Sequence, residues 1–264
     1  MERKRKQKLE KASVVSRNET SNPLISIIIA AKDEGKTIGE LISNIRANLN
    51  SLTYEIIVVD DGSTDQTRNI ALQEQVRVIS HEKRLGKAAA MKTGAKYASG
   101  EIIVFIDGDG AHDAGHIPQM VTAIRNNKGD LVIGSRFLDN SSRKNSPVVR
   151  TISNALAAFI ISLTISFFLP LRTLFACRMK WRRVTDCTSG FRAMRKNVWE
   201  NMNITSQGFE VEAEMIYEVS RHNLKIVEIP ITCVYSKYAR NSNLSILRDG
   251  FKTFKLLARK FLTL

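Results

Sequence analysis

The sequence predicts an α/β protein built on a mostly parallel sheet with helices on both faces. Three observations carry that expectation. From Leu24 onward, short apolar runs of strand length alternate with segments of helical spacing, the pattern of a parallel sheet covered on both sides. Acidic clusters recur at the carboxyl ends of those runs, where open α/β sheets bind ligands. A chain of 264 residues with 43% apolar content is long enough to bury one substantial core.

Leu24 to Ala31 lies between Pro23 and the polar Lys32-Asp33-Glu34-Gly35, and reads as a buried strand opening into a loop. Thr37 to Leu49 then has helical spacing through Ile38, Leu41, Ile42, Ile45 and Leu49. A strand over Glu55–Asp60, a turn and short helix after Gly62, a strand over Val76–Ser80 and a helix over Gly86–Ala98 follow. Glu101–Ile106 is the fourth strand, Ile117–Asn126 a helix and Asp130–Gly134 a fifth strand. Asp60 and Asp61 fall after the second strand, Asp107 and Asp109 after the fourth.

The stretch from Glu101 to His112 organises the rest. It delivers Asp107 and Asp109 to one strand tip with Gly108 between them, and Gly110 lets the chain turn away. Carboxylates so close repel each other, and a divalent cation carrying a diphosphate relieves that repulsion. By itself the pattern also reads as a strand followed by an Asp/Gly turn. An EF-hand loop is excluded, because His112 stands where glycine is needed and Pro118 where the bidentate glutamate belongs.

Forty Lys and Arg against 26 Asp and Glu leave a net charge of +14, which favours an anionic partner: nucleic acid, an anionic lipid surface or a phosphorylated substrate. Cys177, Cys187 and Cys233 are odd in number and form no Cys-x-x-Cys, so neither a disulfide framework nor a zinc site is indicated, and a reducing, cytoplasmic setting is the simplest inference. Residues 1–22 read as a mobile basic arm, since no apolar signal core follows their charges. Ala155 to Leu171 carries no charge and ends at a segment containing Pro170. It is short for a membrane span, so a core or interfacial helix is expected, within an insertion over about 147–184. Arg172, Arg178, Lys180, Arg182 and Arg183 follow it without an acid, which suits lipid head groups or a solvated loop. In the last segment, 244–264, Leu244, Leu247, Phe251, Phe254, Ala258 and Phe261 form one helical stripe, with Arg248, Lys252, Lys255 and Arg259 beside it. That pattern fits a helix lying on a membrane, the same stripe packed on the parent domain, or one received by a partner protein.

Signatures of dinucleotide oxidoreductases, P-loop enzymes, zincins and serine hydrolases are absent from the sequence. What remains is an ordered set of polar clusters: Asp33-Glu34, Asp60-Asp61-Gly-Ser-Thr-Asp65, Arg84-Leu-Gly-Lys87, Asp107-Gly-Asp109, Gly134-Ser-Arg136 and Asp186-Cys-Thr-Ser-Gly-Phe-Arg192. In this order and spacing the chain resembles the inverting family 2 glycosyltransferases of GT-A fold. Within them it is similar to the dolichyl-phosphate (polyprenyl-phosphate) mannosyltransferases and their glucosyl and N-acetylglucosaminyl relatives. The resemblance runs from Ser26 to Leu244, and gives a GT-A domain over 23–243.

The resemblance implies roles. Asp60 would contact the base or ribose of a nucleotide sugar, with Ala30, Glu34, Val58, Gly108 and Arg240 in the same nucleotide-binding set. Lys87 would reach the diphosphate from a helix amino end that already favours anions. Asp107 and Asp109 would hold the nucleotide and a Mg2+ or Mn2+ that neutralises the leaving diphosphate. Arg136, Arg150 and Arg192 are the candidates for clamping the acceptor's phosphate and aligning it for attack. A phosphate acceptor is ionised near neutral pH and needs no general base. Glu210, Glu212 and Glu214 read mainly as charge at a helix start.

Two departures stand out. Ala30-Ala31-Lys32-Asp33-Glu34 replaces the family's Pro-Thr-Tyr-Asn-Glu and removes an aromatic near the base, and Ala111 stands where relatives often supply Gln or Ser near the metal. His112 or water would take that place. No anchoring apolar hairpin follows residue 264, so attachment to the cytoplasmic face of a membrane would be peripheral, with a membrane partner subunit left open. The expected reaction moves a hexose, mannose first, from a nucleoside-diphosphate sugar to a polyprenyl phosphate, with no nucleic acid involved. UDP-glucose or UDP-N-acetylglucosamine as donor, a soluble saccharide as acceptor, or a non-catalytic binder of membrane or nucleic acid are the alternatives.

Overall fold

The structure is a computed structural model that describes residues 24–138, 154–162 apart from 156 and 160, 184–233, and 252–260 apart from 254. The basic arm at 1–22, Arg150, Arg240, the basic run 172–183, and the stripe residues Leu244, Leu247, Phe251, Phe254 and Phe261 lie outside the described residues. In chain order the elements are β1 (Ile25–Ala31), α1 (Ile38–Asn48), β2 (Tyr54–Asp60), α2 (Thr67–Gln73), β3 (Arg77–Ser80), α3 (Lys87–Tyr97) and β4 (Ile102–Asp107). A 3-10 turn at Ala114–His116 leads into α4 (Ile117–Arg125), then β5 (Leu131–Ser135), β6 (Arg192–Arg195), α5 (Lys196–Glu200), α6 (Val211–Arg221) and β7 (Ile226–Pro230).

These strands form one seven-stranded sheet in the order β3-β2-β1-β4-β6-β5-β7. Every pairing is parallel except those of β6, which runs antiparallel to both β4 and β5. The strands alternate their side chains between two cores. On one face Ile27, Ile29, Val58 and Val104 pack against Ile38, Leu41, Ile42 and Ile45 of α1 and Ile117, Met120 and Val121 of α4. On the other Ile28, Ile57, Val59, Ile103 and Phe105 meet Met91 and Ala95 of α3, Trp199 of α5, and Val211, Met215 and Ile216 of α6.

Register decides where the functional groups go. Ala31 is paired with Asp60 and Ala30 with Asp107, so the carboxyl ends of β1, β2 and β4 finish level. Because β6 is reversed, its first residue, Arg192, comes to that same edge opposite Phe105 and Ile133. A short antiparallel strand therefore brings a segment far along the chain to the acidic rim.

The described parts of two apolar segments pack on the domain. Within the uncharged run, Ala158 and Ile161 join the second core, and Ser162 Oγ accepts the Val184 N–H at 3.1 Å, while Phe159 is 57% exposed. These described residues pack as a core helix. Near the carboxyl end, residues 252–253 and 255–260 are helical; Leu257 enters the second core and Lys260 lies between Glu214 and Glu218 of α6. This segment therefore docks on its own domain. Among the described residues no helix is long and apolar enough to cross a membrane.

Candidate active site

The acidic rim is laid out by loops whose own carboxylates are mostly spent on holding each other. Asp33 Oδ1 accepts the Thr64 N–H at 2.7 Å, and this bond together with Lys32 lowers its pKa to about 2. Asp65 accepts the Gly35 N–H at 3.0 Å, so the loops after β1 and β2 are tied together in both directions. Asp60 is buried and its Oδ1 accepts the Ser63 N–H at 2.9 Å, a turn-closing bond at the strand end. Glu34 donates its N–H to Thr67 Oγ1 at 2.7 Å, which places it on the rim beside that turn. Val58 is fully buried in the first core, two residues short of the strand end.

Asp61 fixes the approach to α3. Its carboxylate accepts the Leu85 and Gly86 N–H groups, each at 2.8 Å, and pairs with His81 Nδ1 at 2.8 Å. Burial opposes its ionisation, but His81 and the two backbone donors outweigh that and hold its carboxyl below the usual range. Gly86 has φ +102, and a Cβ there would strike the Gln207 carbonyl, so only glycine fits this turn into the helix. Lys87, the first residue of α3, is thereby aimed at the rim.

There Lys87 Nζ lies 2.6 Å from Asp107 Oδ1 and 2.6 Å from Glu212 Oε1. Burial works to discharge the lysine, yet the two carboxylates more than offset it and raise its pKa. Asp107 is pulled the other way: burial opposes its charge, but Lys87, then His112 and Arg136, hold it below the usual carboxylate range. For Glu212 burial prevails over Lys87 and Arg192, and its pKa is raised. Gly190 closes over this triad, since a Cβ at that position would collide with Asp107 and Lys87. The Thr188-Ser-Gly-Phe-Arg192 segment is thus a backbone wall of the site.

Asp109 follows in a tight turn, its Oδ1 accepting the Ala111 N–H at 3.0 Å. Gly108 runs close beneath the neighbouring strand, donating its N–H to the Ala30 carbonyl at 3.2 Å and accepting Thr37 Oγ1 at 2.7 Å. His112 is 6% exposed, and neither ring nitrogen has a hydrogen-bond partner. Its ring tilts against Phe191 at 5.6 Å, and its backbone bridges to Cys233. Burial depresses its pKa against the pull of Asp107 and Asp109. Among the described residues no three Asp, Glu, His or Cys side chains already converge as a finished metal cage.

The arginines behave differently from one another. Arg136, just after β5, forms a two-pronged pair with Asp186, Nε to Oδ2 at 2.7 Å and Nη2 to Oδ1 at 2.8 Å, and reaches Thr188 Oγ1 at 2.7 Å. Burial opposes the charge of Asp186, but Arg136 outweighs it and keeps the carboxyl low. Glu228 of β7 braces this loop by accepting the Thr185 and Asp186 N–H groups. Arg192 is fully buried, and its guanidinium donates to the Ser189, Glu212 and Cys187 carbonyls at 2.8, 2.6 and 3.0 Å. It ties the glycine wall to the start of α6, its donors turned to these carbonyls. Arg136 lies near enough for its charge to act on Asp107. Of the residues named from sequence, the structure brings Asp107, Lys87, Asp109 and Arg136 together on one edge. Sequence reasoning did not assign Glu212, Asp186 or Gly190 to that cluster, although each lies in a polar stretch it singled out.

Comparison with known proteins accounts for this arrangement in two steps. The fold is GT-A: glucosyl-3-phosphoglycerate synthase from Mycobacterium tuberculosis superposes with a TM-score of 0.66 at 22% identity, covering 89% of this chain and 80% of that one. That enzyme has been crystallised with Mn2+, uridine diphosphate and glucosyl-3-phosphoglycerate, and with Mg2+ and uridine diphosphate. The family model for glycosyl transferase family 2 matches residues 26–202, and the chain belongs to that family. The dolichol-phosphate mannosyltransferase of Pyrococcus furiosus is 33% identical over 212 residues, 79% of this chain and 56% of that protein. The UDP-N-acetylglucosamine–dolichyl-phosphate N-acetylglucosaminyltransferase of Methanococcus voltae is 30% identical over 259 residues, 89% of this chain and 94% of that one. The protein is a glycosyltransferase close to the dolichyl-phosphate sugar transferases.

Proposed function

We propose that the protein transfers a hexose, mannose in the first instance, from a nucleoside-diphosphate sugar to a polyprenyl (dolichyl) phosphate, with inversion at the anomeric carbon. The observation that carries this is the Lys87–Asp107–Glu212 cluster at the carboxyl edge of the sheet, beside Asp109 and Arg136. A cation held at the start of an eleven-residue helix is suited to the diphosphate of a donor. Asp107 and Asp109, with the unpartnered imidazole of His112 at hand, fit a divalent cation, Mg2+ or Mn2+. When bound, such an ion neutralises the charge that builds on the leaving diphosphate.

This chain's own residues would do the rest. Asp60 and Glu34 would line the nucleotide side of the rim, Asp61 and Gly86 hold Lys87 in place, and Gly190 lets the backbone wall pack directly on Lys87 and Asp107. Arg136, rigidly oriented by Asp186, supplies positive charge on the side where an acceptor phosphate would enter. Arg150 and Arg240 are further candidates for that phosphate. The acceptor arrives ionised, so positioning and charge suffice without a protein base. The protein would work peripherally at the cytoplasmic face of a membrane, where such lipids are presented.

The test is a donor screen: GDP-mannose, UDP-glucose and UDP-N-acetylglucosamine, each with a short polyprenyl phosphate and Mg2+ or Mn2+. Sugar should enter a lipid product from one of them, mannose first. Slow donor hydrolysis without lipid product from any would keep the transferase and discard the lipid acceptor.

A further inference from the structure

Glu212 is the member of the Lys87 cluster to which the transfer reaction gives no part. It is 2% exposed, and neither oxygen of its carboxylate accepts a hydrogen bond. Its ion pair among the described residues is with Lys87, at 2.6 Å. The other acids buried among the described residues, Asp60, Asp61, Asp186, Glu214 and Glu218, each accept at least one backbone N–H. A buried carboxylate left to a cation alone is costly, and an exception of this kind at the ligand edge of the sheet calls for a reason.

Lys87 supplies the reason, because two groups claim it. Its Nζ also lies 2.6 Å from Asp107 Oδ1, and both are assigned to the donor, Lys87 to its diphosphate and Asp107 to the cation beside it. Neither can engage the donor while spent on the other, so this ion pair has to open when the donor binds. An ammonium carries three N–H donors, and Glu212 stands ready to keep one of them. The carboxylate rises from α6, apart from the strand that carries Asp107, and its backbone is pinned. Arg192 Nη1 donates to the Glu212 carbonyl at 2.6 Å, and Val211 and Met215 on either side of it are fully buried in the second core. The Phe209 ring flanks the ammonium at 5.5 Å.

We propose that Glu212 is a positioning residue whose carboxylate keeps hold of Lys87 while the ammonium exchanges Asp107 for the diphosphate of the donor. One N–H stays on Glu212 and the others turn from Asp107 to phosphate oxygens. The lysine then meets the charge that builds on the leaving diphosphate from a fixed point. Without Glu212 it falls back on Asp107 and competes with the donor. This rests on the transferase reading above, with Lys87 on the diphosphate.

The test is a double-mutant cycle of Glu212→Gln with Lys87→Met in the full chain. It is read as turnover of whichever of GDP-mannose, UDP-glucose and UDP-N-acetylglucosamine the wild type consumes, and as affinity for GDP and UDP in calorimetric titrations with Mn2+. With Lys87 present, Glu212→Gln should lower kcat about tenfold or more, the loss seen when a partner that orients a site ligand is removed, and change the donor KM far less. In the Lys87→Met background the same change should cost no more than about twofold, the scatter of independent effects. A glutamine that merely loosened the fold would lower activity alike in both backgrounds, and thermal melts would show it. The loss of GDP or UDP affinity should likewise be confined to the Lys87 background, and it decides the matter where turnover is too slow to measure. Where Glu212→Gln does not fold, Glu212→Asp, which keeps the charge one methylene short of Lys87, takes its place in the cycle. Equal losses in both backgrounds, or no loss beside Lys87, overturn the proposal and leave the transferase reading standing. A wild-type protein that consumes none of the three donors and binds neither GDP nor UDP overturns both.

Discussion

Lys87 sits between the half-buried Asp107 and the buried Glu212, Lys260 between the buried Glu214 and Glu218, and helix α6 serves both. Glu212 points from one side of that helix to Lys87 at the rim; Glu214 and Glu218 point from another to Lys260 of the carboxyl-terminal helix. The two centres differ in how completely they are satisfied. Glu214 accepts the Thr205 and Ser206 N–H groups as well as Lys260, Glu218 accepts the Asn203 N–H, and Lys260 also donates to the Asn203 carbonyl. Glu212 accepts no hydrogen bond beyond its ion pair with Lys87. The pKa directions follow: Glu214 is lowered because Lys260 and the backbone donors overcome burial, whereas Glu212 is raised because burial wins. A saturated network holds two elements together; an undersaturated one at the ligand edge of the sheet keeps charge available for something else.

The largest expected effect separates the two lysines by activity. Lys87→Met should cut turnover about a hundredfold or more, the loss typical of removing one preorganised charge-stabilising group. Lys260→Met should leave turnover per folded molecule within about threefold. Comparable turnover losses in steady-state assays of both would break the distinction. Stability should separate the two lysines as well. Removing one partner of a buried pair costs about 3–5 kcal/mol, so both variants should melt lower. Saturating Mn2+ and nucleotide should then raise the melting temperature of Lys260→Met by as much as that of the wild type, by linkage, and that of Lys87→Met by less, because the cation proposed to hold the diphosphate is gone. Calorimetry with and without ligand reads this directly.

A smaller effect appears on acidification. Glu214 has a folded pKa below its unfolded one, so its stabilisation is complete above the unfolded value near pH ~4.3 and is lost as the pH falls through the folded value. Glu214→Gln should therefore melt below the wild type at neutral pH, with the gap closing as the pH drops below about 4. A gap independent of pH would mean the carboxylate's charge is not what Lys260 needs.

The contrast between these two centres marks what the sequence could and could not say. The parallel half was legible, because each strand is a run such as Ile25–Ala31 or Ile102–Asp107 and each acid cluster follows one. Lys87 was legible from its place after Gly86. β6 was not: Arg-Ala-Met-Arg has no apolar run, and its strand conformation comes from insertion between β4 and β5. Arg192 entered as a phosphate-clamp candidate through the family resemblance, and its burial and three carbonyl partners are properties of tertiary packing that spacing does not encode. Lys260 escaped notice for a related reason. The apolar stripe through Phe254, Ala258 and Phe261 dominates the pattern of the last helix, while the face that meets α6 carries Leu257 and a lysine.

That docking changes how a membrane role for the last helix should be tested. Truncation after Ser242 would remove Lys260 and leave Glu214 and Glu218 buried beside each other, so loss of vesicle binding would not be separable from loss of fold. Lys252, Lys255 and Arg259 are exposed on the docked helix, and their reversal to glutamate leaves the Lys260 contacts in place. Each surface change should alter stability by no more than about 0.5 kcal/mol. If these cations face an anionic surface, each contributes roughly 1 kcal/mol, and the triple reversal should weaken binding to phosphatidylserine vesicles by more than about a hundredfold at low salt. Cosedimentation at matched Tm checks it. Unchanged vesicle binding would take the lipid contact away from this helix and direct it to the basic run between Arg172 and Arg183.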